Sequence, residues 1–291
     1  MAQPSFAIDI RPHSSNLARR RLRLLNITEC SSANIELKGM DTIIGLETLF
    51  IGAAETNSYF AEEIEALLER NRNTLKKVYI CEHSAQKHDG MKMVENLVGC
   101  ESLTMKSPHN KSRIPDVEPL VRLMSVSKTL KEVTAQPILQ EEISVIARAL
   151  ESNNTLMKLT LYVETRGSIE ELFSALEVNK FLNELSLQCC VFMNDSCIAL
   201  ASNKLVNRLT VDVKHSLDAR VCLLCEASKK NRHIKTLCIE FGNGESANEI
   251  LRALTINTAI AEVDMTLRVA AAEETIEAFS DMLSGNNVLG R

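Results

Sequence analysis

The chain has 291 residues, 45% of them hydrophobic and 24% charged, with a net charge of −5, three tyrosines and no tryptophan. This composition excludes a wholly disordered chain, and neither a membrane-length apolar run of roughly 18 residues nor the apolar core of a secretory signal is present. Nine scattered cysteines fit reduced thiols in the cytoplasm better than a disulfide framework, and the near-neutral charge argues against general nucleic-acid binding.

In chain order, residues 1–15 read as a poorly ordered lead-in. From residue 16 onward one phrase recurs, N-x-x-L-x-x-L-x-L, with Val, Ile or Met able to replace Leu. Its first apolar position, the anchor, falls at Leu46, Leu75, Cys100, Leu130, Leu156, Leu182, Val206, Ile234, Ile260 and Leu289. A looser copy precedes these, with Arg19 at the anchor and Leu22 and Leu24 as the L-x-L pair. Ten steps over 270 residues give a mean repeat of 27, with single steps of 24 to 30. Length alone would suggest about two domains; the repeat replaces that with one stack over 16–291.

Six residues before the anchors stand Val94, Met124, Leu150, Leu176, Leu200, Leu254 and Leu283; Glu69 and Ser228 interrupt the series, with Leu68 and Leu224 nearby. Ile143, Ile146 and Leu150 share a helix face, as do Ile169, Leu172 and Leu176, and the pattern continues in Thr275, Phe279 and Met282. The L-x-L segment alternates with period two and predicts a short strand. Asp116, Asn194 and Ser216 are candidate helix caps, and Ser168 with Glu171 has the capping-box spacing. The Asn three residues before the anchor is expected in the left-handed conformation that ends helices.

One strand, a loop and a helix of about three turns cannot bury an apolar face alone. Stacked in register, the units predict an α/β solenoid of about ten repeats, with a curved parallel sheet on the concave side and helices on the convex side. The last copy stops two residues past Leu289, so the C-terminus is expected to be truncated mid-repeat or covered by a partner.

The repeat set resembles the leucine-rich repeat proteins of the ribonuclease-inhibitor-like type, and the repeat region of nucleotide-binding leucine-rich-repeat receptors, over roughly residues 16 to 291. The resemblance implies a cytoplasmic protein-binding scaffold or sensor region, with a link to innate immunity. It also admits a GTPase-activating regulator of a small GTPase, or the substrate-recognition subunit of a ubiquitin ligase. In one respect the chain departs from the family, which often places Asn or Cys shortly after L-x-L to form a ladder. Here Cys190 fits, whereas Glu164, Lys214, Gly242 and Arg268 occupy the corresponding positions.

Candidate chemistry is sparse. Cys222-x-x-Cys225 has the spacing of a metal or redox pair but lies in a helical pattern, where cysteine packs as a small apolar residue. Cys189 and Cys190 read as a loop-ladder residue and its neighbour. His83 and His88, drawn together with Cys81, read as part of a solvated loop. No phosphate-loop, nucleophile-elbow or H-E-x-x-H motif occurs. The sequence therefore predicts no enzyme, no cofactor, no metal and no small-molecule substrate.

The outward strand positions carry more information. Two residues after the anchors run Lys77, Ser102, Glu132, Lys158, Glu184, Arg208, Thr236 and Glu262; strands about 4.8 Å apart would set Glu132, Lys158, Glu184 and Arg208 in an alternating-charge ladder. Four residues after the anchors come Phe50 and Tyr79, then mostly threonines, and Tyr162 stands in the sixth-position lane. Aromatic residues favour binding hot spots. The expected protein-binding face is thus Phe50, Lys77, Tyr79, Glu132, Lys158, Tyr162, Glu184, Arg208 and Glu262. The Arg19-Arg20-Arg21 run reads as the polar rim of the first repeat, and neither a membrane nor a nucleic acid is expected as partner.

Overall fold

Strands and helices succeed one another through residues 22–27, 43–52, 58–81, 94, 97–106, 117–163, 169–188, 194–212, 218–268 and 270–289, which are the residues described in the structure, a computed structural model, and from the strand Glu132–Ile138 onward they alternate. The chain divides into two units, Met1–Pro137 and Ile138–Arg291. In the first, β1 (Leu24–Ile27), β2 (Thr48–Gly52), β3 (Lys77–Cys81), β4 (Ser102–Lys106) and β5 (Glu132–Ile138) pair in parallel in chain order, with helices α1 (Ser58–Asn71) and α2 (Glu118–Val126).

The second unit opens with α3 (Gln140–Ser152). There β6 (Lys158–Val163), β7 (Glu184–Gln188), β8 (Arg208–Asp212), β9 (Thr236–Phe241) and β10 (Glu262–Leu267) likewise pair in parallel and in order. Helices α4 (Glu170–Val178), α5 (Asn194–Ser202), α6 (Asp218–Lys230), α7 (Gly244–Ile256) and α8 (Glu273–Gly285) complete it. Ten strands and eight helices among the described residues make an α/β repeat architecture of parallel strands with about the expected number of repeats.

The register explains the sequence phrase. The L-x-L residues align across neighbouring strands: Leu49 with Val78 and Leu103, and Leu159 with Leu185, Leu209, Leu237 and Val263. From β2 to β9 the aligned leucines and valines are buried, as are the anchors from Leu46 to Ile260. The residue after an anchor contributes a carbonyl that accepts two N–H groups from the next repeat; Met157 takes those of Asn183 and Glu184, and Lys235 those of Ala261 and Glu262. Each strand is thereby pinned at its start, before the ladder proper begins.

The first repeat corrects the sequence reading. Leu25 pairs with Leu49 and Ile27 with Ile51, so the inward pair is Leu25 and Ile27, and the anchor is Leu22 instead of Arg19. Leu24, expected to point inward, is exposed. Consecutive leucines at 24 and 25 left two registers open, and a strand's two faces differ by one residue only.

The recurring Asn also acts differently from expectation. Asn153, Asn179, Asn257 and Asn286 have φ between −88° and −65° with extended ψ, so none is left-handed. They recur because the side chain joins repeats. Asn179 Oδ1 accepts the N–H groups of Phe181 and Leu182 at 2.9 and 2.8 Å, while Nδ2 donates to the carbonyls of Leu150 and Asn153 at 2.8 Å. Asn231 repeats this toward His233, Ile234, Leu200 and Asn203, and Asn257 and Asn286 do the same one and two repeats on. This buried asparagine ladder lies where helix returns to strand, and it satisfies backbone groups that would otherwise be orphaned. Ser127 substitutes in part: its Oγ accepts from Thr129 and Leu130, and the Thr129 hydroxyl donates to the carbonyls of Val98 and Cys100.

The expected helix faces are buried at Ile143, Ile146, Leu150, Ile169, Leu172 and Leu176. In α8 the face is only half realised. Thr275 and Met282 are buried, but Phe279 and Leu283 are exposed together with Ile276. Their counterparts one repeat earlier, Ile250, Leu254 and Ala247, are fully buried. In β10, Val263, Met265 and Leu267 are correspondingly half-buried. Among the cap candidates, Asn194 is the first residue of α5, while Asp116, Ser168 and Ser216 lie outside the described residues. The caps the structure does show are the Glu142 carboxylate, accepting the Leu139 N–H at 2.8 Å before α3, and Asn243 Oδ1, accepting the Ser246 N–H at 2.8 Å before α7.

Candidate protein-binding face

Period two places residues two, four and six after each anchor on the face opposite the buried leucines. In the first unit this gives Thr48, Lys77, Ser102 and Glu132 in one row and Phe50, Tyr79, Thr104 and Thr134 in the next. Phe50 and Tyr79 stack obliquely, with ring centroids 5.8 Å apart and planes tilted by 39°. Both remain half-exposed. The Tyr79 side chain hydrogen-bonds that of Cys81 two residues on; partial burial pushes both the phenol and the thiol above their ordinary pKa values. Lys106 lies beside Cys81 on the next strand. Glu132 accepts a hydrogen bond from the Ser102 hydroxyl at 3.1 Å.

In the second unit the row is Lys158, Glu184, Arg208, Thr236 and Glu262. The expected rung between Lys158 and Glu184 forms, with Nζ 3.3 Å from Oε2. Arg208 turns the other way. It donates to Cys238 Sγ at 3.3 Å and lies 3.8 Å from Glu262, whose carboxylate also takes the Thr236 hydroxyl at 2.9 Å. The ladder therefore skips a strand here, because threonine is too short to stand between arginine and glutamate. Tyr162 pairs in register with Gln188 and is half-buried. Arg268, just past β10, hydrogen-bonds Glu240, which holds its guanidinium pKa above the ordinary value.

Sequence reasoning missed one row altogether. The residues directly after the anchors read Arg23, Glu47, Lys76, Glu101 and Lys131, alternating in sign through the first unit. Arg23 lies 3.6 Å from Glu47, and Lys131 Nζ lies 2.8 Å from Glu101 Oε2. The Lys131 ammonium, aided by Lys76 and Lys77, holds the Glu101 carboxyl below its ordinary pKa. The alternation was visible in the sequence once the anchors were aligned, but it precedes the strand and so escapes a period-two reading.

The C-x-x-C pair is split by its helix: Cys222 is exposed and Cys225 buried, its thiol pushed up to about 12 by burial. Cys81, Cys100, Cys197 and Cys238 are also free thiols. His83, His88, Cys189, Cys190 and Arg19 to Arg21 lie outside the described residues. Among the described residues, no group of three or more His, Cys, Asp or Glu could hold a metal ion, and no helix is long and apolar enough to cross a membrane.

No protein-family model matches this chain. No curated protein matches it either. Among the solved structures it resembles is leiomodin-1 actin-binding site 2 (ABS2), at 16% identity and a TM-score of 0.28, over 50% of this chain and 75% of that one.

Proposed function

We propose that this chain is a non-enzymatic protein-binding scaffold that works through the outward face of its sheet. The observation that supports this reading is the half-exposed Phe50–Tyr79 pair, set 5.8 Å apart among polar side chains. Aromatic side chains on a rigid, pre-ordered surface lose little entropy on binding and serve as anchors. The sensor, GTPase-regulating and ubiquitin-ligase roles implied by the family resemblance would all use such a face.

The test is affinity capture with the purified chain, scored by mass spectrometry against two variants. Tyr79→Ala removes an anchor, and Arg148→Ala changes an exposed position on α3 as a control. Proteins retained by wild type and Arg148→Ala but lost with Tyr79→Ala support the face. An identical set on all three, with each variant shown to fold by circular dichroism, rules it out.

A further inference from the structure

The outward surface of the first unit differs in charge from the protein as a whole. Over the first, second, fourth and sixth positions after its anchors, the described residues are Arg23, Lys76, Lys77, Lys106 and Lys131 against Glu47, Glu101 and Glu132, an excess of two positive charges. The same positions in the second unit hold Lys158, Arg208 and Lys235 against Glu184, Asp212, Glu240, Glu262 and Asp264, an excess of two negative charges. The whole chain is at −5.

The three carboxylates of the first unit are already engaged. Glu47 faces Arg23, Glu101 takes Lys131, and Glu132 takes the Ser102 hydroxyl. Lys76, Lys77 and Lys106 are left with no ion pair among the described residues, and of these Lys77 and Lys106 stand on the strands themselves. Their positions are specific: Lys77 lies two residues before Tyr79 on β3, about 6.6 Å along the strand, and Lys106 lies one strand away from Cys81 at the other end. The aromatic pair is therefore bracketed by two ammonium groups, with Thr104 and Thr134 beyond.

We infer that this surface takes an acidic peptide segment, one that seats an apolar side chain on Phe50 and Tyr79 between carboxylates that meet Lys77 and Lys106. This rests on the protein-binding reading above and adds the chemistry of the partner. A single-stranded nucleic acid could also offer anions and stacking bases. Two surplus cations on a chain of net negative charge are too few to follow a phosphate backbone, whose binding depends on many such contacts, so the peptide is favoured.

Selection of phage-displayed random dodecapeptides on the immobilised chain tests this. Enrichment of Asp or Glu on both sides of an apolar residue is expected. Fluorescence anisotropy of the leading synthetic peptide should then show about tenfold weaker binding to the Lys77→Glu/Lys106→Glu double variant, with similar weakening in 0.5 M NaCl. Lys128→Glu, the same reversal at a single exposed site in the turn before β5, should leave affinity unchanged. Peptides without acidic excess, or an affinity indifferent to the double reversal, overturn the inference. If Tyr79→Ala abolishes binding while the lysine reversals do nothing, the binding face stands and only the acidic partner falls. Peptides that bind wild type and Tyr79→Ala alike, or no enrichment at all, remove both. Tighter binding of an oligo-dT 20-mer than of any selected peptide overturns the inference in favour of nucleic acid.

Discussion

An asparagine that uses all four of its hydrogen-bonding positions inside the protein cannot be replaced by a smaller residue without leaving backbone groups dry. Asn231 is 1% exposed and bonds two N–H groups and two carbonyls. Each buried polar group left without a partner costs about 1–3 kcal/mol. Asn231→Ala is thus expected to lower stability by about 3 kcal/mol or more, whereas Asn207→Ala, at an exposed position, should stay within about 0.5 kcal/mol. Urea denaturation of both variants distinguishes the two, and equal losses would show that the ladder is not what holds the repeats together. Backbone proximity sets a similar limit at Gly99, where an added Cβ would come within 2.9 Å of the Arg72 carbonyl oxygen.

Helices α7 and α8 carry matching leucines, Leu254 and Leu283, each six residues before its anchor. Sequence makes them equivalent, but burial does not: Leu254 is 0% exposed and Leu283 54%. α8 packs on α7 and buries Thr275 and Met282, while Ile276, Phe279 and Leu283 beside them stay exposed among the described residues. Truncating a buried leucine costs about 2–5 kcal/mol through lost transfer energy and the cavity left behind. Leu254→Ala should therefore lose roughly 3 kcal/mol, and Leu283→Ala less than about 1 kcal/mol. Thermal melts of the two variants give the comparison; comparable losses would mean that α8 is covered in solution. The cysteines of α6 show the same divergence of spacing and burial: three residues apart, a spacing that sets both near one helix face, Cys222 is exposed while Cys225 is buried.

At the scale of the molecule, the repeats give each unit rows of side chains that no short sequence window contains. The row from Arg23 to Lys131 couples the first unit to pH. Glu101 is held below its ordinary pKa, so as the pH falls the unfolded chain takes up a proton before the folded one does. The stabilisation is complete above the ordinary carboxylate range and is lost as the pH drops through the lowered value. Wild type should melt above Lys131→Met at neutral pH, with the gap closing between roughly pH 5 and pH 3 and shrinking in high salt. A gap that stays constant with pH would assign the effect of Lys131 to its methylene stem.

The repeat period, the strands and their parallel order, and the rows that lie on the strands themselves follow from residue order, because a period of two or of three to four fixes which side chains share a face. From Leu46 onward the L-x-L phrase aligned the strands without a structure. The register of β1 did not follow, since Leu24 and Leu25 are chemically alike and only pairing with Thr48 and Leu49 chooses between them. Nor did the role of the recurring Asn, whose partners lie about one repeat away, or the turn of Arg208 past Thr236 toward Glu262. Local spacing determines which face a residue takes; contact between repeats determines what it meets there, and only the folded stack brings those neighbours together.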